Sequence, residues 1–320
     1  MRQGGSRNTG TFASVHPVHQ ADSGIVDGMT WIVGAPTMFG YGFGISDVRV
    51  TLADESEIDC LQKIYSIGRH FAAGFAGSVK IGFAMLDELR RLSNYSDERI
   101  ACDPNAILCE WPPCARVVFG RFNDAERAGA CHLMLIMAHP QEHVGNPAWP
   151  RSFVYIFKSP SFEGETVSVH TLGSIGSGSS YPRCRDAIAS FGADRRREQL
   201  YMQGEIGCQG GMASMLGLSL TDILKEVQPR GVSPHMHYCW VYRGRTIIQR
   251  NDHTMKGRWT IASLGSGINQ VSDVEIAPIH REPAKAEGSG FFEMPKLATS
   301  WDELLELLRN RDLNASGCTA

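Results

Sequence analysis

No stretch of this sequence approaches the ~20 consecutive apolar residues that a membrane-crossing helix needs, so no membrane is expected as a partner. Residues 1–28 carry Arg2 and Arg7 but no apolar run of the kind a secretion signal uses. The nine cysteines include no Cys-x-x-Cys pair. Odd in number and without a secretory signal, they read as reduced thiols of a cytoplasmic protein. An excess of either charge is missing too. The 31 Lys and Arg face 34 Asp and Glu, for a net charge of −3, which leaves no basic stripe for phosphates and excludes nucleic acid as an expected partner. Charged residues make up 20% of the chain, below the ~25% norm. There is no Gly-x-Ser-x-Gly elbow of an α/β-hydrolase. The run Gly176-Ser177-Gly178-Ser179-Ser180 lacks the Lys-Ser/Thr of a phosphate-binding loop, and no dinucleotide fingerprint accompanies it.

What is abundant is glycine, with 34 residues against a ~7% norm; tight turns and large packed surfaces follow, in keeping with an oligomer. Residues 1–29 are polar and read as a leader, a propeptide or sequence ahead of the true start. From Thr30 the texture changes. Trp31–Gly34 reads as a buried strand, and Phe39, Tyr41, Phe43 and Ile45 alternate with small residues as a strand with one face in a core would. Lys63 to Phe75 predicts two strands with a turn at Gly68-Arg69. Ser78 caps a helix whose face is Ile81, Met85, Leu89 and Leu92, with Ser93-Asn94 as its stop. Residues 93–129, with Pro104 and Trp111-Pro112-Pro113, read as an inserted excursion. Strands are predicted at Cys131–His139, Ser152–Lys158, Thr166–Leu172, Met236–Tyr242 and Thr246–Arg250. Helices are predicted from the glycine-serine turn to Ile188 and along Leu220, Ile223, Leu224 and Val227. A last helix starts at the capping box Ser300–Glu303 and shows Trp301, Leu304, Leu305 and Leu308 on one face. Strands and helices that do not alternate one-to-one argue for a layered α+β fold. The main domain is expected over 30–260, with a C-terminal extension over 261–320 and its helix near 300–309.

Two groups of metal-type donors stand out. Cys102, Cys109, Cys114 and Cys131 with His132 are irregularly spaced, and read as ordinary small buried residues. His235, His237 and Cys239 alternate on one strand face and read as satisfied groups of a half-buried strand. Neither a metal nor a cofactor is expected.

The segments Met29–Gly34, Ser46–Thr51, Lys63-Ile64 and Ala73–Ser78, followed by Leu172–Gly178, resemble in order and spacing the β-type subunits of proteasomes. The likeness is nearest to the bacterial ring proteases of the N-terminal nucleophile hydrolase class, and it spans Thr30 to Trp240. Asp47 and Lys63 each stand one residue further from Thr30 than in the family pattern, a shift that one insertion within 35–42 explains. The resemblance implies a four-layer αββα sandwich, assembled into a homo-oligomeric ring that degrades peptides or unfolded proteins, with an ATPase unfoldase as a further partner.

The chemistry fits these residue types. A threonine hydroxyl is a poor nucleophile until a base takes its proton, and a free α-amine titrates near ~8. An N-terminal Thr30 would carry both groups, which requires that residues 1–29 be absent from the mature chain. The resemblance assigns Lys63 to the developing alkoxide and the amine, Asp47 to holding Lys63, and the Gly77 amide to the oxyanion. It assigns Ser177 to the proton network, Ser233 to holding the Thr30 terminus, Arg49 and Thr51 to the substrate backbone, and Val50, Tyr65, Phe75, Val79 and Phe83 to an apolar pocket before the cut. That pocket implies cleavage after hydrophobic residues; plain core packing is the other reading of the same five. One departure is marked: Arg230 replaces the acid that the family carries three residues before Ser233. Two arrangements are open. Beside the α-amine, Arg230 cannot accept the amine's hydrogen bond as a carboxylate would, and it would weaken turnover. Turned away, it pairs with an acid of the 93–129 segment or of a neighbouring subunit; this is the arrangement expected, because an unpaired buried guanidinium is costly. A threonine-type endopeptidase is the expected activity; the rivals are a catalytically silent ring subunit and a small-amide amidase or acylase of the same class.

Overall fold

In a computed structural model the described residues are 30–37, 40–103, 105–139, 152–169, 171–193, 211–242, 245–250, 258–262, 271–275 and 295–316; the leader 1–29 and Phe39 lie outside them. The described strands begin with β1 (Trp31–Pro36), β2 (Gly42–Asp47), β3 (Arg49–Thr51), β4 (Glu57–Asp59), β5 (Ile64–Ser66), β6 (Phe71–Gly77) and β7 (Cys131–Ala138). They continue with β8 (Ser152–Lys158), β9 (Gly164–Thr166), β10 (Gly173–Gly176), β11 (Met236–Tyr242), β12 (Arg245–Arg250), β13 (Arg258–Ala262) and β14 (Val271–Glu275). The helices are α1 (Val79–Cys102), α2 (Ala106–Phe119), α3 (Asp124–Arg127), α4 (Pro182–Ala193), α5 (Gly211–Val227) and α6 (Trp301–Ser316).

Alternation in β2 shows how the strands are used. Tyr41, Phe43 and Ile45 join a cluster with Leu216, Leu220 and Leu224 of α5 and Cys184, Ile188 and Phe191 of α4. The glycines between them face the other way, and a Cβ on Gly42 or Gly44 would sit 2.8 or 2.3 Å from the Ile136 side chain of β7. β2 lies inside a five-stranded sheet ordered β10-β1-β2-β11-β12. A second five-stranded sheet runs β5-β6-β7-β8-β9, and β3-β4 and β13-β14 form separate hairpins. Every pair among the described strands is antiparallel. The fold is thus mixed α+β, with antiparallel sheets and six helices among the described residues.

Two further large apolar clusters lie among the described residues, beside a small one of Val48 and Leu297. In one, Ile32, Ile175, Cys239 and Val241 of the first sheet meet Ile64, Ala76, Met134, Ile136, Val154 and Ile156 of the second. In the largest, Phe75, Leu133, Leu135 and Phe157 of the second sheet meet Met85, Leu86 and Leu89 of α1 and Ile107, Trp111, Ala115 and Val118 of α2.

The sequence reading is corrected at three places. Helix α1 passes through Ser93-Asn94 to Cys102, because serine and asparagine cost a helix only tenths of a kcal/mol, roughly, and tertiary packing overrides them. The 93–129 stretch is therefore not an excursion: it forms the end of α1, all of α2 and α3, and a wall of the largest core. Pro112 and Pro113 lie inside α2; they forfeit helix hydrogen bonds, and the burial of Trp111 and its neighbours holds the helix instead. Third, Thr166–Leu172 is not one strand. β9 ends in the second sheet at Thr166 and β10 begins in the first at Gly173, so this stretch is the crossover between sheets.

The C-terminal segment joins the same core. Ser300 Oγ accepts the Glu303 N–H at 3.2 Å, while the Glu303 carboxylate accepts from Thr299 rather than Ser300. Leu304 is fully buried, with Trp301, Leu307 and Leu308 packed beside it; Leu307 takes the place expected of Leu305. Trp111→Ala is expected to cost about 3–5 kcal/mol in chemical denaturation, as for other buried aromatics; a loss below about 1 kcal/mol would show that α2 is peripheral after all.

Candidate active site

Thr30 stands immediately before β1, and its side of the strand is closed by β10. Trp31 pairs with Gly176, and the Ser177 N–H donates to the Thr30 carbonyl at 2.8 Å. Gly176 has a φ of +90°, and a Cβ there would fall 1.7 Å from the Thr30 carbonyl oxygen. Only glycine lets the strand pass this close. Ser177 then opens a short 3-10 turn, and its Oγ is buried without a hydrogen-bond partner.

Asp47 ends β2 and gathers four donors. Its Oδ1 accepts the Trp31 N–H and the Lys63 ammonium, each at 2.8 Å. Its Oδ2 accepts the backbone N–H groups of Arg49 at 3.1 Å and Ser233 at 3.3 Å. Both side chains of the Asp47–Lys63 pair are fully buried. Burial pushes the Lys63 ammonium below its ordinary pKa and the Asp47 carboxyl above its own, and each partner's charge opposes that shift. Of the three protons on the Lys63 ammonium, one is used by Asp47 and the other two have no partner among the described residues.

The backbone around Lys63 is pinned from several sides. Its N–H donates to His237 Nε2 at 3.4 Å and its carbonyl accepts from Phe75 at 3.3 Å. Just upstream, the N–H groups of Cys60 and Leu61 donate to the Val48 carbonyl, and Gln62 and Cys60 exchange hydrogen bonds with Ala298. The C-terminal segment thus holds the loop that delivers Lys63.

Gly77 ends β6 with a φ of +101°, and a Cβ there would meet the Ala130 carbonyl at 2.7 Å. It reaches the site through its neighbour: the Ala76 methyl lies 3.3 Å from the Cβ position of Gly176. The structure thus links Thr30, Asp47, Lys63, Ser177 and Ser233 through hydrogen bonds made by these residues or by Trp31, with Gly77 one packing step away.

The other expected residues are placed differently. Val50, Tyr65, Phe75, Val79 and Phe83 come together, but as buried members of the largest core. Tyr65 stacks on Phe75 at 6.2 Å, and Phe83 meets both edge-on at 5.7 and 5.4 Å. The Tyr65 hydroxyl donates to the Gln62 carbonyl, and Arg90 lies over the Tyr65 ring. Arg49 is committed to acids: its Nε donates to Asp59 at 2.7 Å and its Nη1 to Glu57 at 2.8 Å. Thr51 is buried, and its Oγ1 has no hydrogen-bond partner. Arg230 does turn away, but onto the β3-β4 turn, pairing with Glu55 at 2.8 Å. The acid comes from that hairpin and not from the 93–129 segment.

Sequence reasoning missed Glu57 and Asp59. The Ser233 hydroxyl donates to Asp59 Oδ2 at 2.6 Å, and the Gly231 N–H donates to Glu57 at 2.8 Å. Their one-residue spacing across a turn from Arg49 is the signal that pairs them. Among the metal-type donors, Cys131 is buried in β7 with its thiol pushed up to about 12, while Cys109 is exposed on α2. No group of three or more metal-type side chains occurs among the described residues. No described helix is long and apolar enough to cross a membrane. No protein-family model matches the chain, and the curated proteins compared with it include no match.

Lys63→Met strands the Asp47 charge and is expected to destabilise by about 3–5 kcal/mol. Adding Asp47→Asn should recover part of that, with a coupling of about 1–3 kcal/mol in a double-mutant cycle; strictly additive losses would show that the pair is not ionised.

Proposed function

We propose that the chain is a threonine-type endopeptidase of the N-terminal nucleophile hydrolase class, with the two sheets and their flanking helices forming its four-layer αββα sandwich. The carrying observation is the Asp47 carboxylate, which holds the Lys63 ammonium and the Trp31 N–H on one oxygen and so brings a buried cation to the Thr30–Trp31 peptide. A buried ammonium with two unused protons is costly in a purely structural role. It suits a site where negative charge develops.

In the mature protein Thr30 is the first residue. Its α-amine takes the proton from its own Oγ, and that oxygen attacks the substrate carbonyl carbon. Lys63 steadies the alkoxide, and the Gly77 N–H stabilises the oxyanion, a role worth about 3 kcal/mol per donor. The amine returns the proton to the departing amine of the substrate, and water then hydrolyses the ester on Thr30. Ser177, held at the Thr30 carbonyl with a spare hydroxyl, relays protons. The assembly is a cytoplasmic homo-oligomeric ring acting on peptides or unfolded proteins, with an ATPase unfoldase as its partner.

The silent-subunit reading draws on one arrangement. Tyr65, Phe75 and Phe83 fill one another's space, so an apolar substrate side chain can enter only if they move. The two readings separate experimentally. Intact mass of the native protein should give a chain beginning at Thr30, which hydrolyses hydrophobic fluorogenic peptides and is labelled by an electrophile directed at N-terminal threonine. Thr30→Ala should abolish both, and Lys63→Ala should come close. A mature chain that retains Met29, or an unchanged rate in Thr30→Ala, sinks the peptidase.

A further inference from the structure

Arg49 and Ser233 perform the same double task from different parts of the chain. Each donates its backbone N–H to Asp47 Oδ2, at 3.1 and 3.3 Å. Each also donates from its side chain to Asp59: Arg49 through Nε at 2.7 Å and Nη2 at 3.3 Å, Ser233 through Oγ at 2.6 Å. Two carboxylates, one fully buried and one at the end of β4, are thus cross-braced by two residues. The carboxylate that meets Ser233 comes from a hairpin, while Arg230, three residues before Ser233, faces Glu55.

The proton count on Ser233 then gives the network a polarity. A hydroxyl has one proton and two acceptor sites. The proton goes to Asp59, and one acceptor site takes the His235 N–H at 3.0 Å. What remains is a single acceptor. Resting on the peptidase reading, the geometry points to Asp59 as the positioning residue of the site: it fixes Ser233 as an acceptor for the Thr30 α-amine. An amine that donates an N–H to Ser233 keeps its lone pair for the proton of its own hydroxyl. Were Ser233 free to rotate, its proton would compete for that lone pair.

Charge gives the test its direction. Asp59 faces Arg49 on β3 and His235 ahead of β11; it also acts on the buried Lys63, which pairs with Asp47, and Glu57 shares Arg49. Burial would raise the Asp59 pKa, but the hydrogen bonds from Arg49 and Ser233 and the Arg49 charge outweigh it, so the carboxyl stays below its ordinary range and ionised at working pH. A negative charge near the α-amine favours its protonated form.

The experiment compares wild type with Asp59→Asn in the full mature protein, following a fluorogenic peptide from pH 5 to 9 and Thr30 labelling in parallel. An asparagine can offer its N–H₂ to Ser233 and release the hydroxyl proton. The expected result is a fall in kcat of about 10–100-fold, the size seen when partners that orient a reacting group are lost. KM should change little, and the acidic limb of the pH profile should move to lower pH as the carboxylate charge disappears. Ser233→Ala should add nothing in the Asp59→Asn background. Should Asp59→Asn not fold, Ser233→Ala alone cuts the same bond from its other end and should lower kcat at constant KM. An active wild type with unchanged kcat and limb in Asp59→Asn, or unchanged kcat in Ser233→Ala, overturns the role of Asp59 alone. A wild type with neither turnover nor labelling overturns the peptidase reading together with it.

Discussion

A fully buried ammonium–carboxylate pair ties the two large sheets together. Asp47 ends β2 of the first sheet, and Lys63 stands immediately before β5 of the second. Taking two such charges out of water costs several kcal/mol per ion, and their attraction offsets this only with good geometry and satisfied neighbours. Asp47 is so satisfied, with four donors on its two oxygens. Lys63 is not: Asp47 takes one of its three protons, and the other two have no partner among the described residues. The surrounding devices all reduce the freedom of this pair: the Val48 carbonyl and Ala298 grip the loop before Lys63, and His237 and Phe75 grip its own backbone.

Glycine richness has the same root. Sheets that meet through Ile136, Met134 and Ile32 leave no room for side chains at Gly34, Gly42, Gly44 and Gly74, where a Cβ would lie 2.3–2.8 Å from those residues. Close approach of the sheets is what allows a side chain rooted in one to reach a carboxylate rooted in the other. A looser interface would admit water, and in water the pair would contribute little.

The strands were legible because their signals are local. Alternation in Tyr41–Ile45 and the apolar run Cys131–Ala138 each point to one element, and the ordered motifs from Thr30 to Ser177 located the residues that the structure gathers. The 93–129 stretch was not legible, because Pro112-Pro113 and Ser93-Asn94 are local signals against helix, while the burial of Trp111, Ala115 and Val118 that overrides them is a tertiary effect. Asp59 was hidden for a related reason. Its partner Ser233 is 174 residues away, and nothing in the spacing of either residue declares the other.

The aromatic cluster shows how one set of residues can fit two readings. Val50, Tyr65, Phe75, Val79 and Phe83 stand where the resemblance expects an apolar pocket, and an apolar pocket and an apolar core demand the same residue types. Arrangement separates them, and here the rings occupy one another. Opening that space would expose Tyr65, Phe75 and Phe83 together, at roughly 1.5–3 kcal/mol for each large apolar side chain brought into water. The anchors differ in strength, however. The Tyr65 hydroxyl is hydrogen-bonded to Gln62, beside Lys63, whereas Phe83 sits on the first turns of α1 and meets Tyr65 and Phe75 edge-on. Phe83 has no polar atom on its ring and so no such hydrogen bond to the loop that carries Lys63. A rearrangement of the Phe83 ring is therefore separable from the integrity of the Lys63–Asp47 pair, whereas a rearrangement of Tyr65 is not, because Tyr65 and Lys63 share the stretch between β4 and α1.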